Sequence, residues 1–172
     1  PIAELPWLLP GDRDLEVAPD GRHLVFVSER DGNPELYVAD AAGGAPLRLT
    51  FNPQAADVHP SWSPDGRTIA WESVRPGLTN IHLMAADGKG KRRLVFGGGA
   101  NTHPAWSPDG TEVAFGSDRD GFPGLWSTPA SGGEPALLHH LSRPADGIAW
   151  HPRRGALAVG SGGDIWEVVP SA

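Results

Sequence analysis

Histidine and aspartate are the residue types in this 172-residue sequence whose spacing indicates a chemical site. His59 and His103 each stand three residues before a tryptophan of a repeated segment, and Asp14 takes the equivalent place near the N-terminus. Imidazole and carboxylate groups are ligand types that bind divalent cations. We therefore expect these three residues to be the candidate metal ligands, and we expect no other cofactor. The alternative is that each histidine only satisfies a hydrogen bond where a loop meets a strand.

Catalytic motifs of the common kinds do not occur in the sequence. It has no cysteine, no G-x-S-x-G elbow, no P-loop and no H-E-x-x-H pair. This excludes a cysteine nucleophile, and a protease of the oligopeptidase type would need a separate catalytic domain. The sequence leaves enzymatic activity undecided and favours a non-catalytic role.

The charge of the chain narrows the range of partners. The formal net charge is −7, whereas phosphate backbones are bound by basic surfaces, so we expect no nucleic acid partner. No apolar run approaches the length of about 18 residues that a membrane span needs, so we expect no membrane span. Because the sequence starts at Pro1 rather than Met, we expect a segment upstream of it.

Internal repetition is the strongest pattern in the sequence. The segment Trp62-Ser-Pro-Asp-Gly66 recurs at 106–110, and altered copies stand at 150–155 and 17–21. A spacing of about 44 residues is typical of propeller blades. In each copy a Pro-Asp-Gly turn is followed by an alternating run such as 68–73 (TIAWES), which predicts a half-buried strand.

These units predict an all-β propeller of four-stranded antiparallel blades. The predicted blades are about 11–50, 57–95, 101–138 and 146–170. The fourth has no outer strand of its own. Residues 2–5 precede Val17 at the distance at which an outer strand precedes Trp62, so segment 1–8 is predicted to complete the fourth blade of the same chain or of a partner chain.

The aromatic residues fall into repeat positions, with one exception. Trp62, Trp106 and Trp150 share one position, which predicts packing between blades, and Tyr37, Trp126 and Trp166 share another that we interpret as structural. Trp7 has no counterpart. With Leu5, Leu8 and Leu9 it forms an apolar segment that we predict to be an interface with another blade or another chain.

The segments "PSWSPDGRTIAWES", "PAWSPDGTEVAFGSDRDGFPGLW" and "FVSERDGNPELYVADAAGGAPLRLT" resemble the TolB-type propeller repeat, a relative of the WD repeat. The resemblance covers essentially the whole chain, implies a propeller, and favours an extracytoplasmic, periplasmic setting. Rings of this family usually hold six to eight blades, whereas this chain has four predicted blades. Three explanations of this smaller number stay open. Two chains form an eight-bladed ring as a homodimer, one chain closes alone, or the chain is part of a longer propeller. We favour the homodimer, in which four histidines and two aspartates would surround one mouth of the channel.

The function most in keeping with these patterns is a non-catalytic scaffold. We expect it to bind a protein or peptide through its loops and its channel mouth. The alternatives are the propeller portion of a larger protease or sensor, and a channel-based, metal-dependent enzyme acting on carbohydrate.

Overall fold

The computed structural model describes Leu5 and residues 7–170, and these residues form fifteen β-strands. No helix occurs in this part of the chain, and hence none long and apolar enough to cross a membrane. The strands are β1 Arg13–Val17, β2 His23–Ser28, β3 Glu35–Asp40, β4 Leu47–Arg48, β5 Ala56–Trp62, β6 Thr68–Arg75, β7 Leu78–Ala85, β8 Arg92–Arg93, β9 Asn101–Trp106, β10 Glu112–Ser117, β11 Gly124–Pro129, β12 Ala136–His140, β13 Ala145–Trp150, β14 Leu157–Ser161 and β15 Asp164–Val168.

Each group of successive strands forms one antiparallel sheet. Strands β1–β4, β5–β8 and β9–β12 make three four-stranded blades, and β13–β15 make a fourth with three strands in the described residues. The predicted all-β blade architecture is therefore confirmed. Most of the segment predicted to complete the fourth blade, residues 1–4 and 6, lies outside the described residues, so that pairing stays a prediction.

The Pro-Asp-Gly triplets form the hairpins that connect the first and second strands of blades 1, 2 and 3. Gly66 and Gly110 have φ values of +68° and +72°, which side-chain-bearing residues adopt only with strain. The Asp65 carboxylate accepts hydrogen bonds from the Ser63 hydroxyl at 2.6 Å and from the Arg67 N–H at 3.0 Å. The aspartate therefore closes the turn on itself, as predicted from its sequence.

The hydrophobic core lies between successive blades. One cluster joins blades 1 and 2, a second joins blades 2 and 3, and a third joins blades 3 and 4. The third strand of each blade directs alternate side chains at the next blade, and among them Leu36, Ile81 and Leu125 are completely buried. Their counterpart in blade 4, Ile165, is 83% exposed. The described chain is therefore an open arc, and closure of one chain into a four-bladed ring is not what the structure has.

The repeated tryptophans bind neighbouring blades, as predicted. The indole N–H of Trp106 donates to the carbonyl oxygen of Ser61 at 3.2 Å, and that of Trp150 donates to Ala105 at 3.1 Å. The interpretation of Trp166 as a structural core residue was wrong. It is 52% exposed, because no described strand lies outside β15 to cover it.

The N-terminal segment docks on blade 1 of its own chain. The ring of Trp7 is buried and stacks on Phe26 at a centroid distance of 5.3 Å, and Leu5 packs beside it. Arg30 fixes the segment by donating to the Trp7 carbonyl at 3.3 Å and to the Asp12 carboxylate at 2.8 Å. Leu8 and Leu9, the other two predicted interface residues, stay exposed to solvent.

Candidate functional site

The innermost strands of the first three blades share a local irregularity at the same repeat position. Asp14, His59 and His103 are the described non-glycine residues with positive φ, at 52°, 46° and 53°. The ladder register shifts at each of these places, so each is a β-bulge. Bulges re-aim side chains that a regular strand would alternate between its two faces. Each of the first three blades thus places one polar side chain in the central channel.

The bulges bring His59 and His103 together on a shared carboxylate. Their imidazole rings stack with centroids 4.1 Å apart. Glu72, on the second strand of blade 2, places Oε2 2.9 Å from Nδ1 of His59 and accepts the backbone N–H of His103 at 3.1 Å. One ligand atom from each of these three residues lies within 4.8 Å of the other two. We call His59, Glu72 and His103 the channel cluster.

Asp14 lies at the edge of the channel cluster rather than within it. Its Oδ2 is 3.9 Å from Nε2 of His59 and accepts the backbone N–H of His59 at 3.4 Å. Asp14 of blade 1 and Glu72 of blade 2 therefore each accept a hydrogen bond from the backbone N–H of the bulged histidine in the following blade. Gly147, the equivalent residue of blade 4, carries no side chain for the cluster.

The two histidines have pKa values displaced in opposite directions. The hydrogen bond to the Glu72 carboxylate raises the pKa of His59. Burial lowers the pKa of His103, and the neighbouring charge of His59 lowers it further. Among the described residues, none offers a hydrogen-bond partner to the buried Nδ1 of His103. The two imidazoles of the cluster therefore differ in proton affinity, with His59 the more basic of the two.

Glu72 is the site residue that was missed from the sequence. Its repeat counterparts are Val27, Gly116 and Gly160, so it is the one charged residue at a position that otherwise faces the next blade with an apolar or small group. Its side chain is buried. A carboxylate at a core position of a repeat is the signal that could have found it.

His59 and His103 of the channel cluster line an open cavity of about 330 Å³ to which all four innermost strands contribute. Glu16 also lines this cavity and accepts the backbone N–H of Trp62 at 2.9 Å. Burial raises the pKa of Glu16 to about 7, against a smaller opposing effect of that hydrogen bond. The carboxyl group of Glu16 therefore lies in the cavity wall together with those of Asp14 and Asp146.

A second surface feature lies where the blades are connected. Phe51 and Phe96 follow the outer strands of blades 1 and 2, and Phe122 lies in the hairpin between β10 and β11. In an antiparallel blade these two kinds of connection are at the same end. All three phenylalanines are more than 60% exposed. We call them the phenylalanine rim.

Arginines hold two rings of the rim in place. The guanidinium of Arg48 lies 4.7 Å from the ring centroid of Phe51, and that of Arg93 lies 4.2 Å from the ring centroid of Phe96. These pairs occupy the same repeat position in blades 1 and 2. Cation–π contact restricts the rings and presents them to solvent in fixed orientations.

Repeated four-stranded blades around a common channel define this protein as a β-propeller repeat protein. The family model described as TolB beta propeller domain matches residues 15–98 and 58–161. The chain therefore belongs to the TolB β-propeller domain family, as its repeats indicated.

Known proteins similar to this chain agree with that membership. It is 37% identical over 83 residues to the protein TolB homolog of Chlorobaculum tepidum, which covers 48% of this chain and 19% of the relative. It is 40% identical over 68 residues to the uncharacterized peptidase YuxL of Bacillus subtilis, covering 38% of this chain and 10% of that protein. The crystal structure of TolB from Acinetobacter baumannii superposes with a TM-score of 0.79 at 21% identity, over 92% of this chain and 41% of that one. The chain thus spans a fifth or less of the curated relatives it matches and under half of that structure.

Proposed function

We propose that this chain is a non-catalytic scaffold that binds a protein or peptide partner through the phenylalanine rim. The observation that carries the proposal is the exposure of three aromatic rings at one end of the blades, two of them held by arginines at equivalent repeat positions. Aromatic and arginine side chains are the residue types that dominate binding energy in protein interfaces. Rings already held in place lose little entropy when a partner binds.

A peptide-display selection tests this proposal. Peptides are selected on the wild-type chain and then compared on the triple variant Phe51→Ser/Phe96→Ser/Phe122→Ser. The matched control is Val17→Ser/Leu47→Ser/Leu137→Ser, which removes three exposed apolar side chains from strand ends away from the rim. We expect the rim variant to lose binding by about tenfold or more, and the control to retain it. Equal binding to the two variants would contradict the proposal.

We propose further that a second copy of the chain covers the open face of blade 4. Every other blade in the arc buries this face against its neighbour, and here Ile165 and Ala158 are left exposed. The proposed contact surface of the second copy is its N-terminal segment, and the exposed apolar side chains of Leu8 and Leu9 beside blade 1 support this choice. Two such contacts related by a two-fold axis would close a ring.

Light scattering over a concentration series from about 1 to 100 μM tests the assembly. We expect a dimer that Ile165→Asp dissociates, and that Leu47→Asp, an exposed apolar control on an outer strand, leaves intact. A monomer at every concentration would refute the two-chain ring.

A second candidate function is the propeller portion of a peptidase, and the similarity to YuxL favours it. It predicts that the gene product containing this chain carries a serine hydrolase domain. Labelling of that product with a fluorophosphonate probe would support this candidate, and the absence of labelling would remove it.

The cellular setting follows from family membership as a proposal. We infer an extracytoplasmic location, as in the periplasm of bacteria, for a chain of the TolB β-propeller domain family. Fractionation of cells by osmotic shock should release the protein with the periplasmic contents, and retention with the cytoplasm would contradict the inference.

A further inference from the structure

The channel cluster has the composition and spacing of a metal site. Two imidazoles and one carboxylate converge from three different strands, β5, β6 and β9, with a ligand atom of each within 4.8 Å of the others. A metal ion bound about 2.1 Å from each donor holds its ligand atoms roughly 3 to 4 Å apart, and the 4.8 Å limit of the cluster is close to that spacing.

We propose that His59, Glu72 and His103 bind a first-row divalent cation of the Zn²⁺ type, with its remaining coordination position open to the channel. Two histidines and a glutamate are a recurrent ligand set for Zn²⁺ that keeps one position free. Hard cations such as Ca²⁺ take six to eight oxygen ligands, and the cluster offers one carboxylate.

The buried Nδ1 of His103 is the observation that points to a ligand. Among the described residues it has no hydrogen-bond partner, although a buried polar nitrogen without a partner costs free energy. A cation bound to this imidazole would offset that cost, and His103 is already fixed on the cluster by its backbone N–H bond to Glu72.

The local backbone supports the same assignment. His59 and His103 adopt left-handed φ values that are costly for residues with a side chain, and strained conformations of this kind concentrate at functional sites. The bulges occur at the same position of β5 and β9, and the two rings stack against each other in the channel. Asp14, with Oδ2 3.9 Å from Nε2 of His59, is positioned to orient that ring from outside the coordination shell.

Calorimetric titration of the chelator-treated full chain with ZnCl₂ tests the proposal. We expect one Zn²⁺ per chain with a Kd of about 10 μM or tighter. The double variant His59→Ala/His103→Ala should weaken binding by roughly 100-fold or more, and Glu72→Gln by about tenfold or more. The matched control is His139→Ala/His140→Ala, which removes two exposed histidines outside the cluster and should bind as wild type.

Cobalt substitution gives a readout that does not depend on stability. Co²⁺ bound to two imidazoles and a carboxylate should produce visible absorption bands in the wild type that are lost in the single variants His103→Gln and His59→Gln. Circular dichroism identifies any variant that fails to fold. A wild-type Kd weaker than about 100 μM, or equal binding to the cluster variant and its control, would overturn the proposal.

Discussion

Ile165 and Ile81 occupy the same position of the blade repeat, and the first is 83% exposed whereas the second is completely buried. Ile81 points from blade 2 into the core that it shares with blade 3. Ile165 points from blade 4 at the place where a following blade would pack. The two positions therefore allow the contribution of one inter-blade contact to the free energy of unfolding to be measured.

Alanine at these two positions should therefore have different costs. Ile81→Ala should lower the free energy of unfolding by about 2–5 kcal/mol, because it leaves a cavity between blades. Ile165→Ala should change it by less than about 0.5 kcal/mol at dilutions where the chain is a monomer. Urea unfolding followed by tryptophan fluorescence measures both. A large loss for Ile165→Ala in the dilute monomer would show that the face is covered within the chain.

Glu16 should make the fold less stable as the pH rises. Its pKa is about 7 in the folded chain and 4.5 as the ordinary value, so between these pH values the folded state holds a proton that the unfolded state has released. Stability due to the neutral carboxyl is present below pH 4.5 and lost as the pH rises through 7. Glu16→Gln, which stays neutral and keeps an oxygen for the Trp62 N–H, should be more stable than wild type above pH 7 by up to about 3 kcal/mol.

Urea midpoints at several pH values check this expectation. The control is Asp109→Asn, since hydrogen bonds from Ser107 and Thr111 lower the pKa of Asp109 to about 2. Its effect should be constant across the range in which Glu16 titrates. A Glu16→Gln curve parallel to that of wild type would contradict the prediction.

His82 should make the fold more stable as the pH rises, which is the opposite of the effect expected for Glu16. Burial, and then the charges of Arg75 and Arg93, lower its pKa from 6.5 to about 4. In that interval the unfolded state binds the proton and the folded state does not, so stability is lost as the pH falls from 6.5 towards 4. His82→Phe, an aromatic residue as in the equivalent Tyr37 and Trp126, should flatten this part of the curve. An unchanged slope would mean that His82 does not carry the effect.

Glycine at the hairpin turns should be replaceable only at a cost. Gly110→Ala places a Cβ 3.3 Å from Cγ of Pro64 at a φ of +72°, and we expect a loss of about 1–2 kcal/mol. Gly147→Ala is the control, because its Cβ meets nothing within 4 Å and its φ is not in the left-handed region. Differential scanning calorimetry should show a lower Tm for the first variant alone. Equal Tm values would indicate that the turn relaxes.

The fold was predictable because every blade repeats the same local instructions. A Pro-Asp-Gly turn followed by alternating residues predicts two paired strands and their register. Three such copies and an altered fourth make the assignment of strands more certain than any single copy could. The exposure of Trp166 does not follow from its repeat position, because the equivalent Tyr37 and Trp126 pair with outer strands, whereas β15 is the edge of its sheet among the described residues.

The candidate site was predictable only in part. His59 and His103 share a repeat position, so their convergence follows from the architecture. Glu72 contacts them from a different strand, and its side chain reaches across a blade boundary to His103. Which residues meet across that boundary depends on the twist between sheets, which the sequence does not state. Docking of Trp7 on blade 1 is likewise a contact between parts of the chain that no repeat relates.

The bulge of the innermost strands has a consequence for protein engineering. It sets one residue per repeat apart from the packing of the blades, so aspartate and histidine are accommodated at the same backbone position. Residues 14, 59 and 103 can then be varied together as a combinatorial library, in which asparagine, aspartate and histidine are the side-chain-bearing residues that tolerate the left-handed conformation best. Substitutions at these three positions should therefore change the side chains that line the channel without changing the packing between the blades.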